Sequence, residues 1–186
     1  TRRKNDIISS GSRSSSRRSS FFVRGDKMKI LFLDIDGVLN SRAYDCRRNW
    51  NDKTNIDETR LPLVKEIVEK TGAEIVLTST WRRHLDSTMN ACDETGEYVV
   101  RTFAKHGLRI FSKTPDFGRG ASRRDEVAAW LSEHDKTVET FVILDDCAFG
   151  WEELSSFYIH TNPHFGNGLE EEHVIRAIAI LNGETI

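Results

Sequence analysis

Short apolar runs alternate with longer stretches of helical periodicity along most of the chain. The short runs are rich in β-branched and aromatic residues and are bounded by polar residues or glycine, so they indicate buried strands. Five runs of this kind are present: Ile30–Leu33, Ala73–Ser79, Gly107–Phe111, Thr140–Leu144 and Phe157–His160.

Helical periodicity fills most of the sequence between these strands. Leu61–Gly72 has a proline in its first turn and a glycine at its end, which mark the two ends of a helix. The pattern predicts further helices over Arg82–His106 with a break near Thr95-Gly96, over Ser122–Leu131 and over Leu169–Leu181. The alternation predicts an α/β fold with a doubly wound, Rossmann-like parallel sheet of about five strands.

Two of the predicted strands end in pairs of acidic residues. Asp34 and Asp36 follow the first strand, where Gly37 permits a tight turn, and Asp145 and Asp146 follow the fourth. Ligands of open α/β sheets bind at the carboxyl ends of the strands, and carboxylates gathered there repel one another unless a cation neutralises them. Oxygen ligands of this kind suit Mg²⁺. The alternative is two unrelated strand ends whose aspartates cap turn amides.

The length and composition limit the number of domains and the classes of partner. A chain of 186 residues accommodates one α/β domain, and its formal net charge of -2 gives no global field for nucleic acid or a membrane. The three cysteines, Cys46, Cys92 and Cys147, form no C-x-x-C pair, which favours a reducing compartment. No apolar run is long enough to span a bilayer. We therefore expect a cytoplasmic protein with no membrane partner, and no stable protein partner is inferable.

Residues 1–27 have a different composition, rich in serine and arginine, and residues 9–20 contain almost no apolar residues. Such a segment buries too little surface to offset its ordering entropy, so we expect a disordered leader or tail, followed by one domain over residues 28–186. Met28 resembles a natural protein start. A transit peptide and a basic arm that contacts nucleic acid are the alternatives.

With these landmarks, residues 28–181 resemble the haloacid dehalogenase (HAD) superfamily of phosphohydrolases. The first motif of that superfamily, a strand ending in D-x-D-G, is matched by Asp34-Ile35-Asp36-Gly37, and the fourth, a strand ending in an acidic pair, by Asp145-Asp146. Within the superfamily, the phrases Leu33–Asn40 and Ser79–Arg82 are most similar to the HAD phosphatase-like domains of Swiss-army-knife RNA repair proteins.

The second and third motifs leave a choice between neighbouring residues. The second is a strand ending in Ser or Thr, here Thr78 or Ser79, and Ser79 is favoured because it lies two residues before Trp81. The third is a basic residue, usually Lys, at the start of a helix. In this chain it is Arg123 or Arg124, and counting along the helix favours Arg123.

The resemblance implies a mechanism and a cofactor. Asp34 is the expected nucleophile that forms an aspartyl-phosphate, and Asp36 is the expected general acid and base. Mg²⁺ is expected on Asp34, the backbone carbonyl of Asp36, and Asp145 or Asp146. The resemblance thus predicts a Mg²⁺-dependent phosphatase that acts on a phosphate monoester.

The same resemblance assigns the contacts with substrate. Ser79 is expected to bind a phosphoryl oxygen, and Arg123 to supply a fixed positive charge. Further substrate-binding residues are expected among Thr78, Arg82, Arg124 and Gly37. With little or no cap domain, the site resembles the open type, so a nucleotide or a nucleic-acid end is the expected substrate class.

Other interpretations stay open at this stage. A receiver-like phospho-acceptor domain also gathers acids on a parallel sheet, although its acidic pair follows the first strand. A catalytically silent module that binds phosphate or nucleic acid would keep the same motifs. Trp81 and Trp151 either stack a base or pack beside the sheet, and His160 and His164 are either a metal pair or ordinary polar residues.

Overall fold

One parallel sheet forms the centre of the domain. The computed structural model describes residues 27–45, 55–148, 150–164 and 166–184, so almost all of the predicted tail over residues 1–27 lies outside the described residues. Within the described ranges the sheet has five strands in the order β3-β2-β1-β4-β5, all parallel to their neighbours. This confirms the predicted doubly wound fold. The strands are β1 (Met28–Leu33), β2 (Glu74–Leu77), β3 (Ile110–Lys113), β4 (Val138–Asp145) and β5 (Tyr158–His160).

Helices cover both faces of the sheet in the described part of the chain. Alternate residues of the strands point to opposite faces, so each face has its own apolar core. Leu31 and Leu33 belong to the core on one face, while Ile30 and Phe32 pack with Val127 on the other face. The helices are α1 (Arg42–Asp45), α2 (Leu61–Thr71), α3 (Glu94–Lys105), α4 (Arg123–Glu133) and α5 (Glu171–Asn182).

The register of the three central strands brings their carboxyl ends to one edge. Leu33, the last residue of β1, is paired with Leu77 of β2 on one side and Leu144 of β4 on the other. The hydrogen-bonding pattern continues one residue further, because the amide of Asp34 donates to the carbonyl of Leu144 at 3.0 Å. The residues that follow these three strands therefore lie side by side.

The predicted helix over Arg82–His106 is wrong in its first half. A 3₁₀ helix spans Thr80–His84, and α3 begins only at Glu94, so the break precedes the predicted position near Thr95-Gly96. Asp93 accepts a hydrogen bond from the amide of Gly96 at 2.9 Å and thereby caps α3. A Cβ on Gly96 would overlap the carbonyl of His84. This glycine permits close packing inside the first turn of α3 and does not end a helix.

Other element bounds differ from the prediction by a few residues. The strand predicted over Gly107–Phe111 begins three residues later, because Gly107 has a φ of 74° and belongs to the turn after α3. The described parts of the segment between β1 and α2 contain α1 and a 3₁₀ helix at Glu58–Arg60. Residues 46–54 of that segment lie outside the described ranges. The described helices include none long and apolar enough to cross a membrane.

Candidate active site

Asp34 is the buried carboxylate at the end of the central strand. Its residue surface is 2% exposed, and its Oδ2 lies 2.5 Å from Nη1 of Arg123. Burial raises the pKa of Asp34 to about 7; Arg123 opposes that rise and Asp145 adds to it. The second oxygen, Oδ1, has no hydrogen-bond partner among the described residues. One oxygen of this carboxylate is therefore paired with a cation, and the other is available.

Arg123 supplies the positive charge at the centre of the site. It is the first residue of α4, after Ser122 at the N-cap, and its Nη1 also lies 2.8 Å from Oδ2 of Asp145. The next residue, Arg124, pairs instead with Asp125 and Glu153 at 2.9 Å and 2.7 Å. Adjacent residues of a helix point about 100° apart, which explains why one of the two arginines reaches Asp34 and the other does not.

Three carboxylates form an acidic group around Asp34. Oxygen atoms of Asp34, Asp145 and Asp146 all lie within 4.8 Å of one another. Asp145 is fully buried, while burial and the charge of Asp145 raise the pKa of Asp146. One guanidinium, that of Arg123, does not balance three carboxylates, and Asp34 has an oxygen without a partner among the described residues. This donor set fits a hard divalent cation.

Gly37 allows the first turn to approach this acidic group. It has a φ of 80°, and a Cβ at this position would overlap the carboxylate of Asp146. Both the backbone conformation and the missing side chain are therefore needed. The glycine of the D-x-D-G motif serves to bring the turn after β1 against the acidic pair after β4.

The carboxylate of Asp36 lies at the mouth of the site, outside the three-carboxylate group. It is exposed, with Oδ2 accepting a hydrogen bond from Nε1 of Trp81 at 2.9 Å and Oδ1 accepting one from Nδ2 of Asn40 at 3.0 Å. Asn40 also accepts from the amide of Gly37 at 2.8 Å. Two donors therefore fix the direction of this carboxylate. The contact with Trp81 was not predicted from the sequence, because Trp81 lies 45 residues away from Asp36 along the chain.

Thr78 and Ser79 follow β2, beside Asp34. Both residues are 0% exposed. The Oγ1 of Thr78 has no hydrogen-bond partner among the described residues, whereas the Oγ of Ser79 accepts a long hydrogen bond of 3.5 Å from the amide of Trp81. The structure thus brings two hydroxyl groups to the site edge, and both have unused hydrogen-bonding capacity.

Arg82 is bound by the protein itself. It is 3% exposed, and its Nη1 donates to the carbonyls of Thr78 and Ser79 at 2.5 Å and 3.0 Å. Its Nη2 lies 2.7 Å from Oε2 of Glu126, a buried residue of α4 three positions after Arg123. The resemblance to the HAD superfamily predicted that Arg82 is a substrate-binding residue. The structure instead places it between the loop after β2 and the helix that presents Arg123.

The remaining aromatic and histidine candidates differ in their surroundings. Trp151 is 4% exposed and stacks on Tyr158 with ring centroids 5.0 Å apart, so it packs beside the sheet. Trp81 is half-buried and lines a cleft. His160 is exposed and contacts the backbone carbonyl of Asp146 at 3.0 Å through Nε2, and His164 is exposed as well. Neither histidine belongs to the three-carboxylate group.

The fold and the positions of these residues along it define a HAD-like α/β domain, because the acidic turn follows the central strand and the acidic pair follows its neighbour. The chain belongs to the family described as the HAD domain in Swiss Army Knife RNA repair proteins, which matches residues 30–174. Neither the curated proteins nor the solved structures gave a match. The family supports a HAD-type phosphohydrolase, and the three-carboxylate group is compatible with that class.

Proposed function

We propose that this domain is a Mg²⁺-dependent phosphatase that hydrolyses a phosphate monoester through an aspartyl-phosphate on Asp34. The environment of Asp34 carries the proposal. One oxygen of this buried carboxylate is paired with Arg123, while the other has no partner among the described residues. Such a group would combine an available nucleophilic oxygen with a positive charge close to the phosphorus that it attacks.

The proposed reaction has two displacements. Asp34 attacks phosphorus, the bond to the leaving oxygen breaks, and Asp36 gives a proton to that oxygen. Asp36 then takes a proton from water, which attacks phosphorus and breaks the bond to Asp34, so that inorganic phosphate leaves, Asp34 is again a carboxylate and Asp36 is again protonated. The position of Asp36 supports this role, because its carboxylate is exposed at the mouth of the site and held by Trp81 and Asn40.

The metal would be held by the carboxylates of Asp34, Asp145 and Asp146, together with the backbone carbonyl of Asp36. When bound, Mg²⁺ neutralises negative charge on the phosphate and on these carboxylates. The closeness of the three carboxylates supports this assignment. The role of Gly37 also supports it, because that residue lets the turn after β1 pack against Asp146.

The phosphate would be bound by Arg123 and by a hydroxyl group of Ser79 or Thr78. Of the three arginines that the sequence associated with substrate, the contacts favour Arg123. Arg124 pairs with carboxylates at the surface, and Arg82 is engaged by Glu126 and backbone carbonyls. The backbone of the turn at Gly37 lies at the same edge and is a further candidate for phosphate contact.

A nucleotide or a phosphorylated nucleic-acid end is the substrate class that we propose. The RNA repair proteins named in the family description support this class. The described parts of the segment between β1 and α2 contain only a helix of 4 residues and a 3₁₀ helix of 3 residues. The whole segment, residues 34–60, is too short for a large cap domain, and this length supports an open site that admits the end of a macromolecule.

The test is release of inorganic phosphate from p-nitrophenyl phosphate and from oligonucleotides phosphorylated at either end. We expect release that requires Mg²⁺ and that Asp34→Asn lowers by several orders of magnitude, because an amide cannot attack phosphorus. Asp125→Asn, on the exposed side of α4, is the matched control and should stay active. Turnover of Asp34→Asn within about tenfold of the parent would contradict the proposal. Binding of phosphate without turnover by the parent would favour a silent binding module.

A further inference from the structure

A cleft of about 360 Å³ lies beside the 3₁₀ helix that follows β2. This volume is within the range of small-ligand sites in proteins, about 300 to 1,000 Å³. Its described lining consists of aromatic, imidazole, guanidinium and hydroxyl groups, contributed by Thr80, Trp81, Arg83, His84 and Thr95.

Trp81 connects this cleft to the proposed chemistry. Trp81 forms part of the wall, and its Nε1 donates to Oδ2 of Asp36. If Asp36 protonates the leaving oxygen, that oxygen comes within hydrogen-bond reach of the carboxylate that Trp81 holds. The group attached to the leaving oxygen then lies against Trp81, at the entrance of the cleft.

The indole of Trp81 is fixed in place and therefore suited to stacking. Its side chain is anchored at Asp36, its backbone amide donates to Ser79 Oγ, and its ring lies beside that of Tyr98 with centroids 6.3 Å apart. A ring held at both ends loses little conformational freedom when a ligand stacks on it. Stacking of a nucleobase on an aromatic side chain contributes to binding without a requirement for a particular base.

The charges along the cleft are already balanced by the protein. Arg83 donates to both carboxylate oxygens of Asp116, at 2.6 Å and 3.0 Å. The Nδ1 of His84 lies 2.7 Å from Oδ2 of Asp93. Because Arg83 and His84 each have an acidic partner, the cleft offers little net attraction for a second phosphate. Its aromatic and hydroxyl groups suit an uncharged nucleoside instead.

We propose that this cleft is the leaving-group subsite and that it binds a nucleoside whose base stacks on Trp81. The proposal rests on the proposed function and adds to it the part of the substrate that the enzyme recognises. Trp81 then has two roles, since it contacts the base and also orients Asp36. The two roles use different parts of the indole and can be separated by substitution.

Binding is measured by calorimetry in the Asp34→Asn background with Mg²⁺, using adenosine 5′-monophosphate, adenosine 3′-monophosphate and ribose 5-phosphate as probes. We expect at least one nucleotide to bind more tightly than ribose 5-phosphate, by about 5- to 150-fold, the range for one stacked base. Trp81→Leu should abolish that preference, because it weakens nucleotide binding far more than binding of ribose 5-phosphate, which has no base to stack. Phe111→Leu, in a separate cavity with Val100 and Phe103, is the matched control.

Steady-state kinetics tests the second role of Trp81, which is to orient Asp36. Trp81→Phe keeps an aromatic ring but loses the donor to Asp36, so we expect a lower kcat with a nearly unchanged KM for the nucleotide. Trp81→Leu should raise KM and lower kcat together. Thr95→Leu narrows the cleft from α3 without touching the indole, and it should weaken nucleotide binding even if Trp81→Leu fails to fold.

Two outcomes would overturn the subsite. One is equal affinity for ribose 5-phosphate and both nucleotides, and the other is a nucleotide preference that survives both Trp81→Leu and Thr95→Leu. In either case, Mg²⁺-dependent hydrolysis of ribose 5-phosphate by the parent would leave the proposed function standing. Failure of the parent to hydrolyse any of these phosphates or the aryl phosphate would count against the proposed function itself.

Discussion

At the scale of single residues, the protonation of Asp34 depends on its burial and on its pairing with Arg123. Asp34 is buried enough that its pKa rises to about 7, and Arg123 is the cation that opposes this rise. The same nitrogen of Arg123 also contacts Asp145. One guanidinium thus stabilises two buried carboxylates, which makes it harder to replace than a surface arginine.

The first prediction compares the two adjacent arginines of α4. Arg123→Ala should lower kcat by about 10²- to 10³-fold, the usual loss when one charge-stabilising donor is removed, while Arg124→Ala should change it little. Arg123→Lys should recover part of the loss, because a single nitrogen makes both contacts. Steady-state kinetics at saturating Mg²⁺ is the measurement. A larger defect in Arg124→Ala would move the role to that residue.

The second prediction concerns the stability of the metal-free protein. The pKa of Asp34 is about 7 in the folded state, above its ordinary value, so the folded protein holds a proton that the unfolded chain has released. Its contribution to stability is therefore complete at low pH and is lost as the pH rises through 7. We expect the free energy of unfolding to fall by about 1 kcal/mol per pH unit between the ordinary pKa of 3.8 and about 7, where only the folded protein holds this proton.

Denaturant unfolding from about pH 5 to pH 8 checks this expectation. Asp34→Asn is the control, because it cannot titrate at this position and should lack this part of the slope. Mg²⁺ should restore stability mainly at the higher pH, where the carboxylate is ionised and can bind it. Parallel pH curves for the parent and Asp34→Asn would show that Asp34 titrates normally.

At the scale of secondary-structure elements, the turns after β1, β2 and β4 determine which groups meet. The turn after β1 can contact the acidic pair after β4 only because Gly37 has no side chain. The loop after β2 is joined to α4 by the buried pair of Arg82 and Glu126. Each of these connections can be tested separately.

The third prediction is that Gly37→Ala disrupts the site more than the fold. Gly72, at the end of α2, has a similar φ of 72° but nothing within 4 Å of its added Cβ, so it is the matched control. Both substitutions carry the cost of a positive φ, about 1 to 2 kcal/mol. Only Gly37→Ala also displaces Asp146. We expect it alone to raise the Mg²⁺ concentration needed for half-maximal activity, and equal activity of the two variants would contradict this.

The fourth prediction concerns the connection between β2 and α4. Arg82→Met and Glu126→Gln should each lower the free energy of unfolding by about 3 to 5 kcal/mol, because each leaves a buried charge without its nearest opposite charge. Combining Arg82→Met with Glu126→Leu should recover much of the loss, since no buried charge then lacks a partner. Arg83→Met is the control, because that arginine is half exposed and pairs with Asp116 at the surface.

Denaturant unfolding of these variants measures the loss, and kinetics of the double variant shows whether the connection also positions Arg123. We expect the double variant to fold but to have a lower kcat, because Arg82 no longer holds the carbonyls of Thr78 and Ser79. Single variants as stable as the parent would show that the pair contributes nothing measurable.

At the scale of the whole molecule, the sequence predicts the sheet and its acidic edge because both depend on local patterns. Each apolar run that ends in an aspartate, at Asp34 or at Asp145, can be recognised from its own stretch of sequence. Parallel pairing of the two strands then brings the two aspartates together. Other features depend on contacts between distant segments. The hydrogen bond from Trp81 to Asp36 and the burial of Arg82 have no local signal, and Gly96 resembles a helix end although it serves close packing with His84.

The position of β1 in the sheet has a consequence for how the protein loses its structure. β1 has a neighbour on each side, whereas β3 and β5 are edge strands with one neighbour each. Amide hydrogens of central strands generally exchange with solvent only in cooperative opening of the whole domain, while edges exchange through smaller fluctuations. The carboxylate of Asp34 is attached to the end of that central strand. Fraying at either edge of the sheet therefore leaves the proposed nucleophile in place, and slow amide exchange in β1 would report directly on the survival of the candidate active site.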